Sequence, residues 1–266
     1  MKSWTPMLGA VTAALAVGSV AMAQEAAPPT PAAPGAAPAE APAAVPTRTL
    51  LFNAAATSDY VFRGISQTGG GWAPSGGVDF IDGHVYLGNW NSNVDFGPSS
   101  GDPGNTTNIE YDLYAGFRPT VGAVALDIGV VRYGYANEPR GANFTYWEGK
   151  FLASHAVGRN TLGAAFYYSP QFFGKVGSAE YYEINDAFAL TKTLTVSAAV
   201  GYQAFDDRAR AGIGGYANWE VGGTYAFTPK LGLDLRYWGT DATAASFYGK
   251  AYAGDHIAAT LKIIFP

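Results

Sequence analysis

Hydrophobic and polar residues alternate along most of this chain from residue 50 onward. Between residues 107 and 118, Ile109 and Leu113 belong to an apolar set, and Glu110 and Asp112 belong to the polar set that alternates with it. Successive side chains of a β-strand point to opposite faces, so a period of two with one apolar face predicts a strand. The C-terminal residues show the same alternation.

This alternation divides the chain into about twelve strands of roughly 8–14 residues. The links after odd-numbered strands are long, and the links after even-numbered strands are short turns. Outer-membrane barrels combine long extracellular loops with short periplasmic turns in this way, whereas a β-sandwich mixes link lengths with less order. The sequence therefore predicts an all-β fold, a transmembrane antiparallel up-and-down β-barrel of about 12 strands. We place the strands at residues 50–63, 74–81, 84–96, 107–118, 122–134, 144–157, 161–170, 180–190, 193–205, 216–227, 231–240 and 254–265.

The first 48 residues have a different composition. Residues 1–23 combine Lys2, an apolar run and the small residues Ala-Met-Ala, which predicts a signal peptide cleaved before Gln24. Residues 24–48 consist almost entirely of Ala, Pro and Glu, a composition that cannot bury a core and predicts a disordered linker. We expect residues 49–266 to form the barrel and the exported chain to lie in the cell outer membrane, in contact with its lipid.

Composition and motifs exclude several classes of function. Charged residues make up 14% of the chain, against about 25% in typical soluble domains. The net charge of −5 gives no basic footprint, so we expect no nucleic-acid partner. With no cysteine, disulfides and thiolate metal sites are excluded, and we expect no cofactor and no metal. The chain contains no hydrolase, zinc-protease or P-loop pattern, and Ser154 and His155 point to opposite faces of one strand, so we expect no enzymatic activity.

In a soluble barrel the apolar set faces the interior, whereas in an outer-membrane barrel the polar set does. Two features of this sequence favour the second arrangement. Small residues such as Gly77, Ala199 and Gly201 occur in the polar set, which leaves room for a water-filled lumen. Large aromatic residues of the apolar set lie toward strand ends, where girdles anchor barrels at the lipid headgroups. We expect these girdles to contain Tyr60, Phe62, Trp90, Phe96, Trp147, Tyr168, Tyr202, Trp219, Phe227, Tyr237 and Phe265.

The polar set also contains most of the charged residues. An isolated Arg or Lys facing hydrocarbon at mid-bilayer costs roughly 2–4 kcal/mol, so these groups must face water or each other. The excess of acids over bases predicts a mild preference for cations. We expect the pore to be lined by Asp59, Arg63, Asn89, Asn91, Asp95, Glu110, Asp112, Asp127, Glu148, Lys150, Glu220, Asp234, Arg236 and Lys262.

The stretch SDYVFRGISQT, residues 58–68, resembles the start of the mature domain in the TorF-like family of proteobacterial outer-membrane proteins, which are named as porin-like. GNWNSNVDF, EYDLYAGF and LDLRYWGTD fit the same family, and the resemblance covers about residues 50–265. It implies a porin-like outer-membrane barrel and supplies no established functional residues. Phe265 resembles the terminal aromatic signal that the barrel-assembly machinery binds, although Pro266 follows it.

On the strand interpretation, residues 58–63 end the first strand. Tyr60 and Phe62 would then face lipid, and Asp59 and Arg63 would face the lumen about 13 Å apart, too far to pair directly. Arg63 would lie near the constriction. Two functions remain open: a channel for passive diffusion of small solutes or ions, and a non-conducting structural or binding barrel whose lumen is filled by ion pairs.

Overall fold

The computed structural model describes residues 48–96 and 107–265, so the predicted signal peptide, nearly all of the predicted linker and Pro266 lie outside the described residues. Twelve long strands pair with their neighbours in sequence, and the first pairs with the last, which closes an antiparallel up-and-down barrel. The predicted fold class is confirmed. The strands are β1 (Thr49–Thr57), β2 (Ala73–Asp82), β3 (Val85–Asn93), β4 (Ile109–Phe117), β5 (Val124–Ala136), β6 (Tyr146–Val157), β7 (Asn160–Ser169), β8 (Ala179–Ala189), β9 (Leu194–Phe205), β10 (Gly215–Ala226), β11 (Leu231–Thr240) and β12 (His256–Phe265).

The barrel is apolar outside and polar inside. Along β9 the buried residues include Ser197 and Gln203, whereas Val196, Val200 and Tyr202 are exposed. Every second residue is buried because the pleat of the strand sends alternate side chains to opposite faces. A soluble barrel would bury the valines instead, so this arrangement suits an exterior that contacts lipid.

The long links carry short elements of their own. Helices α1 (Arg208–Ala211) and α2 (Ala242–Tyr248) follow β9 and β11, and a 3₁₀ turn at Phe173–Lys175 follows β7. The Asp241 side chain caps α2 by accepting a hydrogen bond from the Ala244 amide. Among the described residues, none of the helices is both long and apolar enough to span a membrane.

The first strand is shorter than predicted, because the chain leaves the barrel wall after Thr57. Val61–Phe62 and Ile65–Ser66 pair as a two-stranded hairpin, joined by Arg63 at φ 48° and Gly64 at φ 78°. Two consecutive residues with positive φ form the tight turn that matches the twist of a hairpin. A Cβ on Gly64 would also come within 2.8 Å of the Asn218 Cβ, so glycine fits this close approach. We call residues 58–68 the plug hairpin, since they fold into the barrel.

The prediction of the aromatic girdles is wrong for four residues. Tyr60, Phe62, Trp90 and Phe96 lie inside the barrel or its mouth, where Phe62 packs edge-on against Tyr133. The first two belong to the plug hairpin, and Trp90 lies within β3, a strand with polar residues on both faces. The outward position of the remaining girdle residues agrees with the prediction: Trp147, Tyr168, Tyr202, Trp219, Phe227, Tyr237 and Phe265.

Candidate functional site in the barrel interior

The tip of the plug hairpin binds the barrel wall through Arg63. Its Nη1 and Nη2 donate to the Oε1 and Oε2 atoms of Glu148 at 3.0 and 2.7 Å. Nη1 also donates to the Oε1 atom of Gln203 at 2.9 Å. The guanidinium carbon lies 4.2 Å from the ring centroid of Tyr181 and 4.9 Å from that of Tyr167. Arg63 is therefore held by a forked ion pair between aromatic faces, a geometry that lysine could not reproduce.

This ion pair is removed from water, since the side chains of Arg63 and Glu148 are each 1% exposed. The Tyr133 hydroxyl donates a further hydrogen bond to Glu148 at 3.2 Å. Burying a pair of charges is costly, and the arrangement is stable only when each charge keeps its partner and its hydrogen bonds. The docked position of the hairpin consequently depends on Arg63 and Glu148 together.

Asp59 fixes the base of the plug hairpin. Its Oδ1 atom accepts hydrogen bonds from the Ser66 and Thr68 hydroxyls at 2.6 and 3.0 Å, and Oδ2 lies 2.9 Å from Nδ1 of His256 on β12. Burial alone would raise the pKa of Asp59, but the hydrogen bonds from His256, Ser66 and Thr68 hold this pKa below its ordinary value of 3.8. The carboxylate is thus ionised at neutral pH and connects the two ends of the hairpin to the wall.

Tyr60 extends from the same hairpin to a pair of acids on β4. Its hydroxyl donates to the Oε1 atom of Glu110 at 3.0 Å, and its ring packs edge-on against Trp90 with centroids 5.4 Å apart. Asp112 lies two residues after Glu110 on the same strand face and opposite Trp90 in the strand register. The plug hairpin therefore covers an acidic patch as well as filling the space beside Glu148.

One polar network on the inner wall centres on Asp127 of β5. Its carboxylate lies 3.1 Å from Arg118 Nε and 3.2 Å from Lys150 Nζ, and it accepts a hydrogen bond from the Tyr86 hydroxyl at 2.6 Å. The Arg118 guanidinium also packs 3.9 Å from the Tyr86 ring centroid. These contacts join β3, β5 and β6 below the hairpin.

A second network centres on Arg236 of β11, which is 1% exposed. Its guanidinium binds Glu220 at 2.8 Å, Asp234 at 2.9 Å and the Ser197 hydroxyl at 3.0 Å. Trp238 Nε1 donates to the other oxygen of Glu220 at 2.7 Å. Arg236 thereby links β9, β10 and β11 from the inside.

Most of the candidate residues predicted from the sequence lie in the interior. Lys262 faces Asp79 and Asp234 across the lumen side of β12. Asp95 is exposed and follows the end of β3, where its backbone amide donates to the Gln67 carbonyl. The residues found inside are Asp59, Arg63, Glu110, Asp112, Asp127, Glu148, Lys150, Glu220, Asp234, Arg236 and Lys262.

The predicted orientation of Asn89 and Asn91 is wrong. Asn89 pairs in register with Leu113 on the outer face, and Trp90 faces inward opposite Asp112. On the outside of the barrel, Asn91 Nδ2 donates to Asn89 Oδ1 at 2.6 Å, so each side-chain amide has one hydrogen-bond partner in the other. The strand Val85–Asn93 carries polar residues on both faces, so alternation alone could not orient it.

The contribution of tyrosine and glutamine to the Arg63 site was missed. Tyr167 and Tyr181 are each 1% exposed and share the inward face with small or charged residues. The alternation along each strand predicts that both tyrosines face inward, because residues two apart share a face. Tyr181 is two residues before Glu183, and Tyr167 is two residues after Ala165. The girdle pattern assigns aromatic residues to the lipid face, so it does not predict tyrosines that point inward.

The interior is unevenly filled. The residues around the hairpin tip, including Tyr133, Glu148 and Gln203, are 1–2% exposed, as expected for packed rather than water-lined walls. Glu183 and Asn185 on β8 also face inward and are partly exposed. The plug hairpin thus constricts the half of the barrel nearest the long links, and water reaches inner-wall residues beneath it.

Comparison with known proteins gives a family and a fold. A family model described as a bacterial protein of unknown function (Gcw_chp) matches residues 40–264. No curated protein matches the chain. Among solved structures, the KdgM porin in complex with disordered oligogalacturonate is similar with a TM-score of 0.53 and 8% identity, covering 82% of this chain and 99% of that one. The COG4313 outer membrane channel from Pseudomonas putida F1 has a TM-score of 0.50 and 9% identity, covering 83% and 96%.

Proposed function

The chain belongs to the Gcw_chp family of bacterial proteins of unknown function, and we propose that it is a porin-like outer-membrane channel for passive diffusion of small solutes or ions. The observation that carries the proposal is the inverted barrel, with exposed aliphatic residues outside and ion-paired networks inside. Such a surface is stable in lipid, and such an interior is suited to water and ions.

The plug hairpin determines what such a channel admits. Because Arg63 and its aromatic neighbours fill the interior near the long links, solutes pass only when they are small or when the hairpin moves. The oligogalacturonate is a ligand of the KdgM porin. The interior of this chain contains more carboxylates than basic groups, so here we propose a mild preference for cations.

Export and insertion form part of the same proposal. Residues 1–23 act as the cleaved signal and residues 24–48 as a periplasmic linker. The barrel-assembly machinery binds the C-terminal strand through Phe265, whose ring stacks on Phe52 at 5.8 Å. The likeness of residues 58–68 to the TorF-like porin-like family supports this assignment.

A second candidate is a non-conducting structural or binding barrel. The packed side chains around Glu148 favour it, as does the aromatic cluster of Phe96, Phe144 and Phe173 at the mouth. The two candidates differ in one observable, which is whether ions cross the folded barrel.

Planar-bilayer recording tests the proposal. The refolded barrel, with folding checked by heat-modifiable gel mobility, is expected to give small single-channel steps and a reversal potential that favours cations. Absence of conductance in both the wild type and a variant with an undocked hairpin would overturn the channel function and support the second candidate. A reversal potential favouring anions would overturn the selectivity alone.

A further inference from the structure

Two buried acids on β4 form no ion pair within the described part of the chain. Glu110 is 2% exposed and Asp112 is 0% exposed. The two side chains stand two residues apart on the inner face of one strand, and ionised carboxylates are acceptors only, so neither can satisfy the other without a proton or a cation. No donor among the described residues reaches either oxygen of Asp112.

The surrounding charges do not neutralise this pair. Among the described residues, no ion pair joins Glu110 or Asp112 to a Lys, Arg or His side chain. Arg63 forms its forked contact with Glu148 instead. Arg132 attracts Asp112 electrostatically, but its guanidinium lies on the outer face, 5.5 Å from the Tyr111 ring centroid. A buried charge that keeps no partner is strongly destabilising, so the pair must either hold a proton or bind a ligand that the described residues do not provide.

The available donor atoms are oxygens. The carboxylates of Glu110 and Asp112 lie on the inner face of β4. The Tyr60 hydroxyl donates to Glu110 at 3.0 Å, and Tyr135 lies opposite Glu110 in the strand register. The described residues hold no group of three or more His, Cys, Asp or Glu side chains that could hold a metal ion, so an ion here relies on two carboxylates completed by hydroxyl oxygens. Oxygen-rich sites select hard cations, and two negative charges match a divalent one.

We propose that Glu110 and Asp112 form a binding site for a hard divalent cation of the calcium type, closed by Tyr60 of the plug hairpin. Calcium accepts irregular oxygen sets and bidentate carboxylates, whereas magnesium retains its waters and fits a dry site poorly. Because Tyr60 covers Glu110, movement of the hairpin opens the entry path from the long-link side. The bound ion stabilises the docked hairpin in return. This site is independent of whether the barrel conducts.

The test uses the full barrel refolded in detergent micelles and stripped of metal with a chelator that is then removed. Terbium ions serve as the probe, since Trp90 packs against Tyr60 and lies opposite Asp112, where it can sensitise terbium luminescence. Calcium is then added as the competitor. The expected result is saturable luminescence at one site, displaced by calcium more effectively than by magnesium.

Variants separate this site from surface binding. Glu110→Gln with Asp112→Asn should weaken terbium and calcium binding at least tenfold, and Tyr60→Phe should weaken it several-fold. The matched control is Asp82→Asn with Asp207→Asn, which removes two acids whose side chains are 45% and 43% exposed, and it should bind as the wild type does. If the double variant does not fold, Asp112→Asn alone provides the comparison.

Two outcomes overturn the proposal. Equal binding by the wild type and the Asp112 variants would mean that ions bind the surface only. No saturable signal from folded wild-type protein would mean that the two carboxyl groups share a proton instead.

Discussion

Replacing Arg63 with alanine should release the plug hairpin. The substitution removes the forked contact to Glu148 and the hydrogen bond to Gln203, together with the stacking on Tyr181. It also leaves Glu148, whose side chain is 1% exposed, without its counter-charge. The hairpin keeps other attachments, among them the Asp59 contacts at its base, the Tyr60 bond to Glu110 and the backbone bridge between Ile65 and Ala253.

The size of the effect follows from the burial of the ion pair. Removing one partner of a buried salt bridge costs about 3–5 kcal/mol, because the other charge stays buried and unpaired. Each 1.4 kcal/mol corresponds to about a tenfold change in an equilibrium constant. The docking equilibrium of the hairpin should therefore shift by about two to three and a half orders of magnitude. Combining Arg63→Ala with Glu148→Gln should restore part of the docking, since the unpaired charge is then absent.

Single-channel recording in planar bilayers measures this shift as a larger conductance step and a higher open probability. Arg210→Ala is the matched control, because Arg210 pairs with Asp207 on the surface, where both side chains are largely exposed. The reasoning is refuted if folded Arg63→Ala protein has the same conductance and open probability as the wild type. Arg63 would then be a structural residue only.

Three further predictions concern the wall, the outer face and pH. Arg236→Ala should destabilise the barrel by about 3–5 kcal/mol in urea unfolding, because Asp234 and Glu220 lose a buried partner; a loss below about 1 kcal/mol would contradict this. Asn91→Leu should leave conductance and ion selectivity unchanged, since the side chain faces outward, and altered selectivity would place Asn91 inside after all. The pKa of Asp59 is lowered below 3.8, so its contribution to docking is present above that pH and is lost as the pH falls through the lowered pKa. Asp59→Asn should therefore raise open probability equally at pH 5 and pH 8, and a difference that exists only at pH 8 would show that Asp59 is protonated by pH 5.

The alternation of polar and apolar residues was sufficient to predict the barrel, its strand number and its inverted faces. On β4, Glu110 and Asp112 alternate with Ile109 and Leu113, and the structure buries the acids and exposes the aliphatic residues. The same parity placed Glu148, Lys150 and Arg236 inside. These predictions succeeded because the pleat of a strand converts sequence parity directly into a face.

The plug hairpin could not be predicted from parity, because residues 58–63 continue the alternation of the first strand. What turns the chain inward is the positive φ of Arg63 and Gly64, a local conformation that an alternating pattern does not show. Arg63 lies inside the barrel, but it reaches that position from a hairpin tip rather than from a strand. Its partners Glu148 and Gln203 lie 85 and 140 residues away in sequence, which no local pattern can pair.

The most direct test of a channel constricted by the plug hairpin is a reversible covalent lock. The chain contains no cysteine, and Ile65 of the hairpin forms an isolated antiparallel bridge with Ala253, so cysteines at these two positions lie where a disulfide can form. In an Arg63→Ala background, the reduced protein should conduct with the large steps of the undocked state, and oxidation should return it to the wild-type conductance. Large steps that persist after the disulfide has formed, as verified by mass spectrometry, would contradict the account.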